Sequence, residues 1–241
     1  VEKYLSSLYH RVEKVRVLGR LENQSLDGLY TEVNLINRIT AEQRYGINQL
    51  QSISNPRREY TSSANRLNGI SALQEYKKLF ILGKPGAGKT TFLKWLALQA
   101  VQQKISQFPI FITLREMADD NPTLSTATEI IDFIIRWTEI HDIPNAKAFV
   151  TRLLRTGQAL VLFDGLDEVM LADRQRSNLV NGLNQFVSQF SRCQIAITCR
   201  VSASEYAFEQ FTYVEMADFY VPQIFEFIDK WFTHDLETAK R

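Results

Sequence analysis

The residues best suited to chemistry are eight in a row: Gly83-Lys84-Pro85-Gly86-Ala87-Gly88-Lys89-Thr90. They fill the phosphate-loop pattern G-x-x-x-x-G-K-[ST] at every defined position. Glycines let the backbone turn so that successive N–H groups point at phosphate oxygens. A helix starting at the loop adds the positive end of its dipole. In that geometry Lys89 reaches the β- and γ-phosphates of a bound nucleotide and the Thr90 hydroxyl ligates Mg²⁺. The candidate nucleotide-binding residues are these eight together with Thr91.

A second constellation follows in Leu160-Val161-Leu162-Phe163-Asp164-Gly165-Leu166-Asp167-Glu168. Four apolar residues ending in an aspartate describe a central strand with a carboxylate at its C-terminal edge, where open α/β sheets bind ligands. Asp164 is the candidate Mg²⁺ ligand, acting through water because Mg²⁺ keeps much of its hydration shell. Gly165 leaves room beside the phosphates. Asp167 and Glu168 add two carboxylates, one of which orients or deprotonates a water attacking the γ-phosphate. Glu168 is the first choice and Asp167 the second. The competing roles are structural: Asp167 as a helix N-cap, and Glu168 as an exposed first-turn acid that complements the helix dipole.

A third strand, Gln194-Ile195-Ala196-Ile197-Thr198-Cys199-Arg200, ends in polar residues. Arg200 is a candidate for a charge-assisted contact with the γ-phosphate; the alternative is an ion pair with a surface carboxylate. Arg115 also stands at a predicted strand tip, but Glu116 is adjacent, and a local salt-bridged role suits it better.

These residues need a scaffold. Strands are predicted over 78–83, 109–114, 159–164, 194–199 and 212–215, with helical patterns at 88–104, 127–140, 145–156, 173–190 and, weakly, 202–211. Strands alternating with helices imply βαβ units and a mainly parallel sheet covered on both faces. Ahead of them, residues 2–18 carry Tyr4, Leu5, Leu8, Val12, Val15 and Leu18 at helical spacing, closed by Gly19. Residues 28–35 are β-rich, 40–65 read as a polar linker, and 67–77 as a helix leading into the first core strand. Residues 221–232 form one more helix rich in aromatics. The chain divides into an N-terminal extension (1–75) and a nucleotide-binding domain (76–241).

Composition narrows the function classes. A chain of 241 residues buries roughly 70–75 percent of its unfolded surface and needs no staples. The formal net charge of +1, with no basic-aromatic stripe, argues against direct nucleic-acid binding. No apolar run approaches the roughly 18–20 residues of a membrane helix. Cys193 and Cys199 lie along one strand pattern, roughly 20 Å apart if extended, so they do not pair with each other. A reduced, cytoplasmic compartment fits. His10, His141 and His234 are scattered, with no second ligand at metal spacing. The chain opens at Val1 inside a helical pattern and reads as a fragment of a longer protein.

With these motifs in order, the chain resembles a NACHT domain, a branch of the STAND class of phosphate-loop signalling ATPases. The matching residues are Gly83 through Thr91, then Pro109-Ile110-Phe111-Ile112-Thr113-Leu114-Arg115-Glu116, Phe163-Asp164-Gly165-Leu166-Asp167-Glu168 and Thr198-Cys199-Arg200. A small residue after the magnesium aspartate, with two acids following, separates NACHT from helicases, which place the acid directly after the aspartate. Val201 stands where many relatives have proline. The resemblance covers roughly residues 76–235. It implies a five-stranded sheet in the order 5-1-4-3-2, with the strand carrying Arg200 between the two motif strands. It also implies a switch that holds ADP when idle, exchanges it for ATP with Mg²⁺, hydrolyses slowly and self-associates in the ATP state of the full-length protein. Relatives continue into helical and winged-helix domains, and a microbial defence role comes from the resemblance alone. Two other functions fit the same motifs: a nucleotide-dependent interaction scaffold without useful hydrolysis, and a remodelling ATPase. The latter would use an arginine in trans, for which Arg152, Arg155, Arg174 and Arg176 are available.

Overall fold

The computed structural model describes residues 1–15, 24–36, 66–169, 173–201 and 208–239. Helix α1 (Glu2–Val12) is followed by a two-residue ladder, β1 (Lys14–Val15) with β2 (Gln24–Ser25), a helical turn α2 (Leu26–Leu29), β3 (Asn34–Ile36) and β4 (Arg66–Asn68). Helix α3 (Gly69–Tyr76) then leads into β5 (Lys78–Gly83), and α4 (Lys89–Val101) leaves the glycine loop. Next come β6 (Phe108–Thr113), α5 (Leu114–Asp120), α6 (Ala127–Glu139), α7 (Ala146–Thr156) and β7 (Ala159–Asp164). A 3₁₀ turn (Leu166–Glu168), α8 (Asp173–Gln189), β8 (Gln194–Arg200), β9 (Thr212–Met216) and α9 (Val221–Ala239) complete the order.

The main sheet runs β4-β3-β9-β5-β8-β7-β6. Its five parallel strands have the order expected from the resemblance, with β8 inserted between the two motif strands, β5 and β7. The sheet has seven strands rather than five. β3 pairs antiparallel with both β9 and β4, adding two strands to one edge. These strands are three residues each, too short to show a period in sequence.

Continuous apolar runs account for the central strands. Every residue of β5 and β7 is buried, as expected where helices cover both faces of a parallel sheet. Helix α4 buries Phe92, Leu93, Leu96, Ala97, Leu98, Gln99 and Ala100, because the sheet covers one side and α1 and α2 the other. Tyr30 stacks on Trp95 of α4 at 4.3 Å between ring centroids. The Tyr4 hydroxyl donates to the Pro109 carbonyl at 3.1 Å. Both contacts fasten the segments before residue 37 to the core.

Local differences from the sequence reading have simple causes. Helix α1 stops at Val12 rather than reaching 18; the stretch from residue 16 to 23, with Leu18 and Gly19, lies outside the described residues. Residues 28–35 divide into the end of a helical turn and the start of β3. Helix α3 starts at Gly69 rather than 67, because the Asn68 side chain caps it by accepting from the N–H groups of Ile70 and Ser71. The linker over 40–65 lies outside the described residues, as do 202–207 of the weak helical pattern at 202–211. Of that pattern, Phe208 and Phe211 pack with Phe80 of β5. Among the described residues, no helix is long and apolar enough to cross a membrane.

Candidate nucleotide-binding site

The C-terminal ends of β5, β7 and β8 meet at one edge of the sheet. There a cleft of about 290 Å³ is lined by Pro85, Gly86, Gly88, Lys89, Thr90, Thr91, Asp164, Gly165, Asp167, Glu168, Thr198 and Arg200. Gly86 and Gly88 hold φ of +77° and +87°, left-handed values that let the loop turn its N–H groups inward. Gly83 is buried as the last residue of β5. A Cβ on it would lie 3.2 Å from that of Ala87, so the loop packs closely on its own base. The Lys84 side chain points away from the cleft, to Asp218 at 3.4 Å.

Lys89 lies along the loop and donates to the carbonyls of Gly83 at 2.9 Å and Lys84 at 3.0 Å. An ammonium has three donors, so one remains for a ligand. Burial lowers its pKa below the ordinary lysine value, with Asp167 acting against that shift and Arg200 with it.

Asp164 is 6% exposed and is clasped from two sides. Its Oδ1 accepts the Thr90 hydroxyl at 3.1 Å and the Thr198 hydroxyl at 2.7 Å. Thr198 in turn accepts the Gly165 N–H at 2.8 Å. Thr90 thus spends its single hydrogen on the carboxylate and presents its lone pairs outward. One hydroxyl oxygen and one carboxylate suit a hard, oxygen-seeking cation that also takes phosphate and water. Among the described residues, no group of three or more His, Cys, Asp or Glu side chains could hold a metal ion unaided. Thr90 and Asp164 therefore fit an Mg²⁺ that arrives with a nucleotide.

Both acids after Gly165 line the cleft. Gly165 has φ of +78°, and a Cβ there would sit 3.2 Å from Glu168 Cδ, so glycine permits both the turn and the position of Glu168. Asp167 is not a helix N-cap. It lies within the 3₁₀ turn and pairs with Arg200, Nε to Oδ2 at 2.8 Å. Thr198 is the site residue that sequence reading left without a role. Its signal was the alternation of β8, which puts Thr198 and Arg200 on one face of the strand and Cys199 on the other. Cys199 and Cys193 are buried and in no disulfide; burial pushes the Cys199 thiol up to about 12.

Other residues singled out by sequence lie elsewhere. Arg115 pairs loosely with Asp119 at 3.9 Å rather than with Glu116, which is taken by Arg11 of α1. Arg152 and Arg155 are exposed on α7, away from the cleft, and Arg176 donates to the Val169 carbonyl at 3.2 Å. His141 lies between Ser7 and the Trp137 carbonyl, and His10 beside Glu13.

The model of the NACHT domain family matches residues 77–235, which contain the whole cleft. The chain belongs to the NACHT domain family. Its α/β architecture is that of a phosphate-loop NTPase, and the NACHT domain is a nucleotide-binding one. Among solved structures, the chain is similar to AMPPCP-bound DnaA from Aquifex aeolicus, with 15% identity and a TM-score of 0.39. The match covers 68% of this chain and 48% of that one, so the NACHT chain spans about half the length of that relative. A comparison with curated proteins found no match.

Proposed function

We propose that this NACHT chain is the nucleotide switch of a signalling ATPase of the STAND class: it binds ATP or ADP with Mg²⁺ and hydrolyses ATP slowly. The observation that carries the proposal is the clasp of Asp164 by Thr90 and Thr198 beside Lys89. Three segments distant in sequence converge on the edge where a triphosphate needs charge neutralisation. The residues of the loop, Gly83 to Thr91, bind the phosphates. Thr90 and Asp164 hold Mg²⁺, which when bound neutralises phosphate charge. Glu168 orients the attacking water and Arg200 meets the γ-phosphate; positioning and electrostatics do most of the work in phosphoryl transfer.

Residues 76–241 form the nucleotide-binding domain and 1–75 an extension to it, fastened through Tyr30, Tyr4 and β3. Buried Cys193 and Cys199 thiols that are not joined in a disulfide fit a reduced, cytoplasmic setting. Self-association in the ATP state of the full-length protein, a trigger, an effector and a place in microbial defence belong to the same proposal and rest on family resemblance.

The test is to denature the purified protein and identify the released nucleotide by chromatography, then to titrate ATP and ADP by calorimetry. Co-purified ADP supports the switch, and Lys89→Ala should abolish measurable binding of both nucleotides. Unchanged affinity in Lys89→Ala would refute the site assignment. Binding without any turnover under single-turnover conditions would favour the scaffold function instead.

A further inference from the structure

The two acids that follow Gly165 are held differently. Asp167 is committed on both oxygens to one partner. Its Oδ1 accepts the main-chain N–H of Arg200 at 3.0 Å, and its Oδ2 faces Arg200 Nε at 2.8 Å. The Asp167 side chain is 7% exposed, that of Arg200 48%. Glu168 is exposed and lies against Gly165 at the rim. In the ladder between β5 and β8, Arg200 stands opposite Gly83, so its side chain leaves the sheet at the level where the phosphate loop begins.

We infer that Asp167 is a positioning residue for Arg200 and not the acid that orients the attacking water. The inference rests on the nucleotide-site reading above. A carboxylate with each oxygen already accepting from Arg200 has fewer acceptor positions to offer a water and is turned toward the guanidinium. The same two bonds close a ring between the 3₁₀ turn and the tip of β8, which fixes the direction of the guanidinium. Pairing through Nε leaves both Nη groups, with four N–H donors, outside the ion pair and available to a phosphoryl group. The loop and Lys89 serve the phosphates nearest β5. Arg200 comes from the neighbouring strand and serves the terminal one, which ADP lacks. Discrimination between ATP and ADP therefore depends on Asp167, acting through Arg200.

The test is a double-mutant cycle read by calorimetry with ADP and a non-hydrolysable ATP analogue. Ordering a long side chain in advance is worth about three- to tenfold in affinity. Asp167→Asn should lose that factor for the ATP analogue and leave ADP unchanged. Arg200→Ala should lose about ten- to hundredfold for the analogue, the value of a charge-assisted hydrogen bond, again sparing ADP. The double variant should bind like Arg200→Ala alone, because Asp167 has nothing left to position. Arg200→Lys keeps the charge but lacks Nε. It should lose about the same three- to tenfold factor as Asp167→Asn, and it provides the same comparison if Asp167→Asn does not fold.

Three results would overturn the inference. Equal losses for both nucleotides would mean a purely structural pair. Additive losses in the double variant would mean an independent role for Asp167. Tighter analogue binding in Asp167→Asn would mean that the carboxylate competes with the phosphate for Arg200. Lys89→Ala separates the two levels: if it binds both nucleotides normally, the site reading itself has failed. If it binds neither while the cycle is additive, only the positioning role has failed.

Discussion

At the scale of single residues, chemistry divides by which groups are already engaged. Asp167 is tied to Arg200, whereas Glu168 lines the same cleft at its exposed rim. Glu168→Gln should therefore keep ATP affinity and lower single-turnover hydrolysis, by about 10²–10⁴-fold if it acts as a positioned general base. A normal rate in Glu168→Gln would remove this residue from the mechanism. Lys89 yields a pH prediction. Its pKa is lowered by burial, and a bound polyphosphate favours the ammonium. Above the lowered pKa of the free protein, binding must take up a proton, so ATP affinity should fall as pH rises, beginning below the ordinary lysine value. Calorimetry in alkaline buffers of different ionisation enthalpy reads that uptake directly. Zero uptake across the alkaline range would mean that Lys89 stays charged in the free protein.

At the scale of elements, the site depends on how β5 is anchored at its other end. Lys78 opens the strand, and its ammonium donates to the carbonyls of Phe190, Ser191 and Cys193 at 3.1, 3.2 and 2.8 Å. Burial pulls its pKa down to about 8, and it is the ammonium form that has a donor for each of the three carbonyls. The bonds tie the end of α8 and the start of β8 to β5, and so set the height at which β8 delivers Thr198 and Arg200. Lys78→Met keeps the stem but leaves those carbonyls without their donor. It should cost about 1–3 kcal/mol, read as a lower midpoint in urea, with ADP affinity of the folded protein unchanged. An unshifted midpoint would show that water replaces the ammonium at no cost.

At the scale of the whole molecule, the segments before residue 37 are part of the fold that carries the nucleotide site. β3 extends the central sheet, and Leu35, fully buried, stands opposite Met216 on one side and Leu67 on the other. Leu35→Ala should cost about 2–5 kcal/mol. The loss should appear in the same cooperative transition that ADP stabilises in a thermal melt. Two separate transitions, with only the ADP-insensitive one shifted, would show that the extension folds apart from the nucleotide-binding domain.

The phosphate loop, Asp164 at the end of an apolar strand and the alternation of core strands with helices were legible in sequence, because each is written in consecutive residues. A glycine loop and a run such as Leu79-Phe80-Ile81-Leu82 need no distant partner to declare their geometry. The order of the five parallel strands came with the family resemblance rather than from any local period. Only the tertiary structure decided that Thr198 clasps Asp164, that Asp167 holds Arg200, that Glu116 answers to Arg11 and that β3 and β4 lengthen the sheet. Each of these joins residues far apart in the chain. Side chains of the same type have several carboxylates or hydroxyls to choose from, and packing alone fixes which of them come within hydrogen-bond distance.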